Sequence, residues 1–304
     1  MKRWFYIAAT LALLALGINF MLYRFSPPVI SGVTPPPQEF LSPQHPRKTA
    51  FSLPLPQREK SACYRAYDKL FRSPTIRIRI AFGYKDSRPS RFVGDRYERL
   101  MLVHYLISPC VSGQWACGFA RDRNDADLFT KEGVELRVTS SSVGPDDELN
   151  RKDPLQPVQS AHSESNFLDG VKGADVVFYN GHSRDGGGPD FAPPLLTPAN
   201  SVDYSWYMAQ KPGEKRLLAA LTGKRDPLIL GLFSCRSGDH FLAEIEKLAK
   251  VATISSPRLY FYSDALRSTL EALNALLGRW CESDFHDALN PKDGFGRARL
   301  KSFF

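Results

Sequence analysis

Asp175-Val-Val-Phe-Tyr-Asn-Gly-His182-Ser-Arg-Asp-Gly-Gly-Gly188 and Leu228-Ile-Leu-Gly-Leu-Phe-Ser-Cys235-Arg-Ser-Gly-Asp239 decide how this chain folds. Each is a short apolar run that stops at a polar, glycine-containing turn, the first with a histidine at the stop and the second with a cysteine. Runs of this length between turn signals read as buried parallel strands. In open α/β sheets, ligands and chemistry gather beyond the C-terminal ends of such strands. As neighbours about 4.8 Å apart, the two would present His182 and Cys235 side by side, a thiol and imidazole dyad.

Working outward, residues 75–82 alternate strictly and are rich in β-branched residues, which predicts a first strand; residues 133–140 alternate again and predict a second. The two quoted runs are the third and fourth, and residues 251–255 the fifth. Between them lie helical patterns: a short one over 61–72, one over 94–107 with Tyr97, Leu100, Met101, His104 and Tyr105 on one face, one over 239–250, and one over 263–280 with Leu266, Leu270, Leu273, Leu276 and Leu277 together. His104 reads as an ordinary helix residue. Strands alternating with helices give an α/β fold with a mostly parallel sheet and helices on both faces. Residues 141–165 form a long polar crossover of undetermined order, and residues 290–304 either an edge element or a disordered end.

The chemistry explains why these residue types would be wanted. A thiol attacks a carbonyl well only as thiolate, and a nearby imidazole can take its proton and pass it to a leaving amine. A helix beginning just after Cys235 favours negative charge there. Backbone N–H groups in the turn over 181–188 and at Cys235 would stabilise an oxyanion.

The pattern of an apolar strand ending in His, then an apolar strand ending in Cys and a small-residue turn, resembles the caspase-like cysteine peptidases, among them caspases, metacaspases, gingipains and legumain. His182 and Cys235 are 53 positions apart, close to the caspase separation. Cys235-Arg236-Ser237-Gly238 is similar to the metacaspase turn, and Gly181-His182 to the gingipain pair. The resemblance spans roughly residues 75–280 and implies a three-layer αβα sandwich with strand order 2-1-3-4-5. It further implies an endopeptidase acting on a protein or peptide, with His182 as base, Cys235 as nucleophile and the N–H groups of Ser183 and Cys235 as oxyanion site. The family usually carries Gly where this chain has Ser183. The N–H survives that change, but the side chain narrows the cleft, so a non-catalytic module that binds peptides or partner proteins at the envelope is the competing class. Asp185, Asp190 and Asp239 are candidates to orient His182 or to bind a basic substrate side chain, against the alternative that they are solvated loop carboxylates.

Residues 1–25 carry Lys2 and Arg3 ahead of an almost unbroken apolar run from Trp4 to Tyr23. That length suits a single-pass inner-membrane anchor, and the positive flank would place the remainder in the periplasm or outside the cell. Cleavage after residue 17 would instead secrete the protein. Residues 26–57 hold nine of the chain's 23 prolines and read as a stiff spacer, leaving residues 58–304 as the folded domain. A 43% hydrophobic, 24% charged chain of 304 residues is not globally disordered. The net charge of +8 favours anionic surfaces, but no basic run or stacking motif points to nucleic acid.

Five cysteines in an oxidising compartment, with Cys235 reserved as a free thiol, leave Cys63, Cys110, Cys117 and Cys281 for two disulfides in one of three pairings. Cys110 with Cys117 closes the shortest loop. Rival chemistries are weaker. Residues 186–188 are three glycines but lack a P-loop ending, which argues against a nucleotide. His182, Asp190, His240 and Cys235 lack metal-ligand spacing, and residues 121–127 lack the ligand pattern of a calcium loop, so no metal or other cofactor is expected. The G-x-S-x-G elbow of serine hydrolases is missing. Taken singly, Cys235 would be a small buried hydrophobe, His182 a turn cap, and His240 a helix-start residue or rival base.

Overall fold

The computed structural model describes residues 57–87, 90–222, 229–258, 262–290 and 298–304. The expected anchor over 1–25 and the spacer over 26–56 lie outside them. Among the described residues no helix is long and apolar enough to cross a membrane.

The sheet is built around five parallel strands: β1 (Ile76–Phe82), β6 (Val134–Ser140), β7 (Val176–Asn180), β8 (Ile229–Phe233) and β9 (Ala252–Ser255). Short β2 (Asp86–Ser87) and β3 (Phe92–Val93) form a separate hairpin, whereas β4 (Ala120–Arg121), β5 (Leu128–Lys131) and β10 (Arg299–Lys301) extend the main sheet antiparallel at its two edges. The order is β10-β9-β8-β7-β1-β6-β5-β4. Its parallel part has the order 2-1-3-4-5 among the five expected strands, and the His and Cys strands are neighbours.

Every residue of β7 and β8 is buried, as strands covered on both faces require. One face carries Ala81, Val177, Tyr179, Leu230 and Leu232, packed against Phe167 and Val171 of α4 (Gln156–Gly173), Leu217 of α6 (Pro212–Leu221), and Phe241 and Ile245 of α7 (Ser237–Leu248). The other carries Ile78, Ile80, Phe178 and Phe233 beneath α2 (Asp95–Ile107) and α8 (Tyr262–Leu277). Gly231 admits the edge-to-face pair of Phe178 and Phe233, whose centroids are 5.3 Å apart: a Cβ there would lie 2.6 Å from Phe178. Helices α3 (Asp147–Lys152), α5 (Tyr204–Gln210) and α9 (Glu282–Leu289) complete the described elements together with α1 (Gln57–Leu70).

One expectation changes and two open readings are filled in. The crossover over 141–165 is largely helix, including the long α4, whose sheet-facing side is polar as far as Asn166 and apolar at Phe167 and Val171. Thr139 and Ser163 hydroxyls meet at 3.1 Å, and Asn166 donates to Ile80 O and Thr139 Oγ1. In α2 the buried residues are Asp95, Glu98, Met101, Leu102, Val103 and Leu106, and His104 is exposed, because buried partners for Asp95 and Glu98 lie on that side. The loop over 121–127 is a turn joining β4 and β5, in which Asp122 and Asp125 accept backbone N–H groups.

Two disulfides, Cys63–Cys281 and Cys110–Cys117, leave Cys235 outside both bridges. The first ties α1 to the start of α9, where the Tyr67 hydroxyl donates to Trp280 O at 2.6 Å and Phe303 packs edge-on against its ring. The loops closed differ greatly, 218 against 7 positions. Loop-closure entropy therefore predicts that C63S/C281S costs about 5 kcal/mol and C110S/C117S about 2 kcal/mol. Equilibrium guanidinium unfolding of the full chain checks this ranking.

Candidate functional site

Asn180 and Phe233 are paired, and Gly181 N–H donates to Phe233 O at 3.3 Å, so the two strands end level. His182 and Cys235 each stand two positions beyond that last pair. Parallel strands lie about 4.8 Å apart, so both chains leave the sheet side by side at the end where α/β folds place their ligands.

His182 is held by the loop after β1. Its Nε2 is 3.1 Å from Asp86 O. A carbonyl only accepts, so Nε2 carries the hydrogen and the lone pair of the neutral ring sits on Nδ1. Burial, then the Arg184 charge, pushes the imidazole well below its ordinary pKa, against the opposing pull of Asp86. The ring is therefore neutral near pH 7, as a base must be.

Arg184, with 1% of its side chain exposed, holds that arrangement in place. Its Nη2 donates to Asp86 Oδ1 at 2.5 Å and its Nε to Asp190 Oδ2 at 2.8 Å, while the Tyr207 hydroxyl donates to Asp190 at 3.2 Å. Burial alone would raise Asp86, but Arg184 and then His182 outweigh it and hold the carboxyl below its usual range. Asp190, considered above as a substrate-facing group, is thus buried and committed internally, because a buried guanidinium needs carboxylate partners. Asp239 pairs with Arg236 at 3.0 Å on the surface, and Asp185 is exposed, at a positive φ of 49°.

The turn after His182 spends most of its own donors. Gly186 and Gly188 N–H both reach Ser183 O, and Gly187 N–H reaches Arg184 O. They are not free for an oxyanion, whereas Ser183 N–H donates to no acceptor among the described residues. Gly188 permits the fold-back, since a Cβ there would lie 2.6 Å from His182 O. On the other strand, α7 begins two residues after Cys235, but its leading N–H groups are also engaged: Arg236 with Arg258 O, Ser237 with Ser234 O and Gly238 with Ser256 O. What the helix offers Cys235 is the field of its dipole. His240, in its first turn, lies beside Gly186, and burial, then Arg236, lowers its pKa.

A buried group missed in the sequence lies close by. Lys85, 1% exposed, is bonded to Asn180 Oδ1 and donates to Glu98 at 2.5 Å, and its charge is close enough to interact with Cys235. Burial pushes Lys85 down and Glu98 up, the latter to about 7. Asn180 in turn donates to Thr269 of α8 at 2.9 Å. Comparison with known proteins adds nothing to this geometry: no family, curated protein or solved structure matches the chain.

Two outcomes follow from these charges. Lys85→Met strands Glu98 in the interior and should cost about 3–5 kcal/mol, much of it recovered in K85M/E98L; urea unfolding of both variants checks this. Folded His182 is neutral while the unfolded imidazole protonates below about pH 6.5. Stability from this group is therefore complete above that pH and lost as pH falls through it. Wild type should lose stability relative to His182→Gln on acidification, by at most about 1.4 kcal/mol per pH unit. Glu98 titrates nearby with the opposite sign, but it is common to both proteins and cancels in the comparison.

Proposed function

We propose that this chain is a caspase-like cysteine endopeptidase. The observation that carries the reading is that a carbonyl-anchored histidine and a cysteine outside both disulfides each stand two positions beyond the level ends of adjacent parallel strands. In this scheme His182 Nδ1 takes the Cys235 thiol proton as sulfur attacks the scissile carbonyl carbon. The oxyanion is met by the N–H groups of Ser183 and Cys235. The imidazolium then gives its proton to the departing amine, leaving a thioester on Cys235. Water, deprotonated by His182, hydrolyses that thioester and restores the thiol.

We also propose that residues 1–25 anchor the protein in the inner membrane with residues 58–304 on the far side. Two disulfides support an oxidising compartment. A second reading, a non-catalytic peptide-binding module, is favoured by one feature, the buried Ser183 where caspase-like enzymes carry glycine.

Alkylation of the unreduced full chain by iodoacetamide separates the two. A peptidase predicts modification at Cys235 near pH 6 that slows about 10²-fold or more in His182→Ala, with peptide cleavage lost in step. Slow alkylation that ignores the His182 substitution would leave the binding module.

A further inference from the structure

Away from the dyad, at the N-terminal half of the same β1, the sheet carries arginines where a helix covers it. The alternation of β1 buries Ile76, Ile78 and Ile80 on the α8 side and turns Arg77 and Arg79 toward α4. In the parallel register Arg79 stands directly beside Arg137 of β6. Like charges at paired positions are destabilising. Carboxylates offset only part of this: Glu135 meets Arg79 at 3.1 Å and Asp125 meets Arg137 at 2.5 Å, while Arg77 makes no ion pair among the described residues.

These three arginines line a cavity of about 310 Å³ roofed by His162, Ser165 and Asn166 on one face of α4. Gly170 brings the helix down on the stem of Arg79, where a Cβ would be 2.9 Å from its Cβ and Cγ, and so fixes where the guanidinium lies. Among the described residues the buried Arg79 Nη1 has no acceptor, and Asn166 Oδ1 is likewise unpartnered. Burial, then the charges of Arg137 and Arg77, draws Arg79 below its ordinary pKa, with Glu135 opposing. The lining contains one acid, Asp169, which meets Lys172 at 3.4 Å.

We propose that this cavity binds a small oxyanion, the phosphate or carboxylate group of a soluble ligand, held by Arg77, Arg79 and Arg137. A planar guanidinium matches such a group with two parallel N–H donors. An anion there relieves the repulsion between the paired arginines. The inference does not depend on the peptidase reading.

The test is isothermal titration of the full chain in detergent with inorganic phosphate and with malonate, against sodium chloride at equal ionic strength. Saturable one-to-one binding of either is expected, the tighter of the two naming the group recognised. Arg77→Gln, an exposed position, should weaken it about tenfold or more. Ser165→Glu, which adds a carboxylate at the mouth, should weaken it as strongly. Cys235→Ala should leave it unchanged. Heat no greater than chloride gives, or equal affinity in R77Q and S165E, would overturn the proposal.

Discussion

A single buried guanidinium organises the end of the sheet where His182 and Cys235 emerge. Arg184 joins Asp86, in the loop after β1, to Asp190, in the loop after β7. Taking one cation and two carboxylates out of water is costly unless each finds several partners. Here the Tyr207 hydroxyl supports Asp190 and the imidazole of His182 lies 3.6 Å from Asp86 Oδ1. The consequence is positional. With Asp86 fixed, its carbonyl sets the tautomer of His182, and burial, helped by the nearby Arg184 charge, favours the neutral ring.

The second polar cluster follows the same logic one layer below. Lys85, Glu98 and Asn180 are buried beneath the point where β7 ends, and Thr269 ties the group to α8. Apolar residues would pack this space at lower desolvation cost. What the cluster provides is a rigid join between β1, β7 and the helices over them. A thiol and an imidazole on two loops would be poorly placed without such support, since productive geometry tolerates errors of only about 0.5 Å.

Much of the architecture was legible because hydrophobic period and turn chemistry agree in β1, β6, β7, β8 and β9. The adjacency of the strands that end before His182 and Cys235 was legible because each is an apolar run closed by a polar turn. Helix α4 was not, since the first of its sheet-facing positions, Gln156, Ser160, Ser163 and Asn166, are polar and bond across to β1 and β6 and the loop after β6, and only Phe167 and Val171 near its end are apolar. Periodicity searches weigh apolarity, and the first part of this interface is made of hydrogen bonds. Lys85, Asp86 and Arg184 were passed over for a related reason. Each is a charged residue in a loop, which reads as solvated until long-range partners are known, as with Arg184 and Asp86, 98 positions apart. The substrate-facing role considered for Asp190 failed on the same point.

The account stands on the protonation of one ring. Nitrogen-15 NMR of the full chain labelled at its six histidines, with His182 assigned by difference from His182→Gln, reads both tautomer and titration. A neutral ring with hydrogen on Nε2, persisting well below the ordinary histidine range near 6.5, is the predicted result. Hydrogen on Nδ1 would contradict the placement of the base and with it the dyad, and titration near that ordinary value would contradict the effect of burial and Arg184 on the ring.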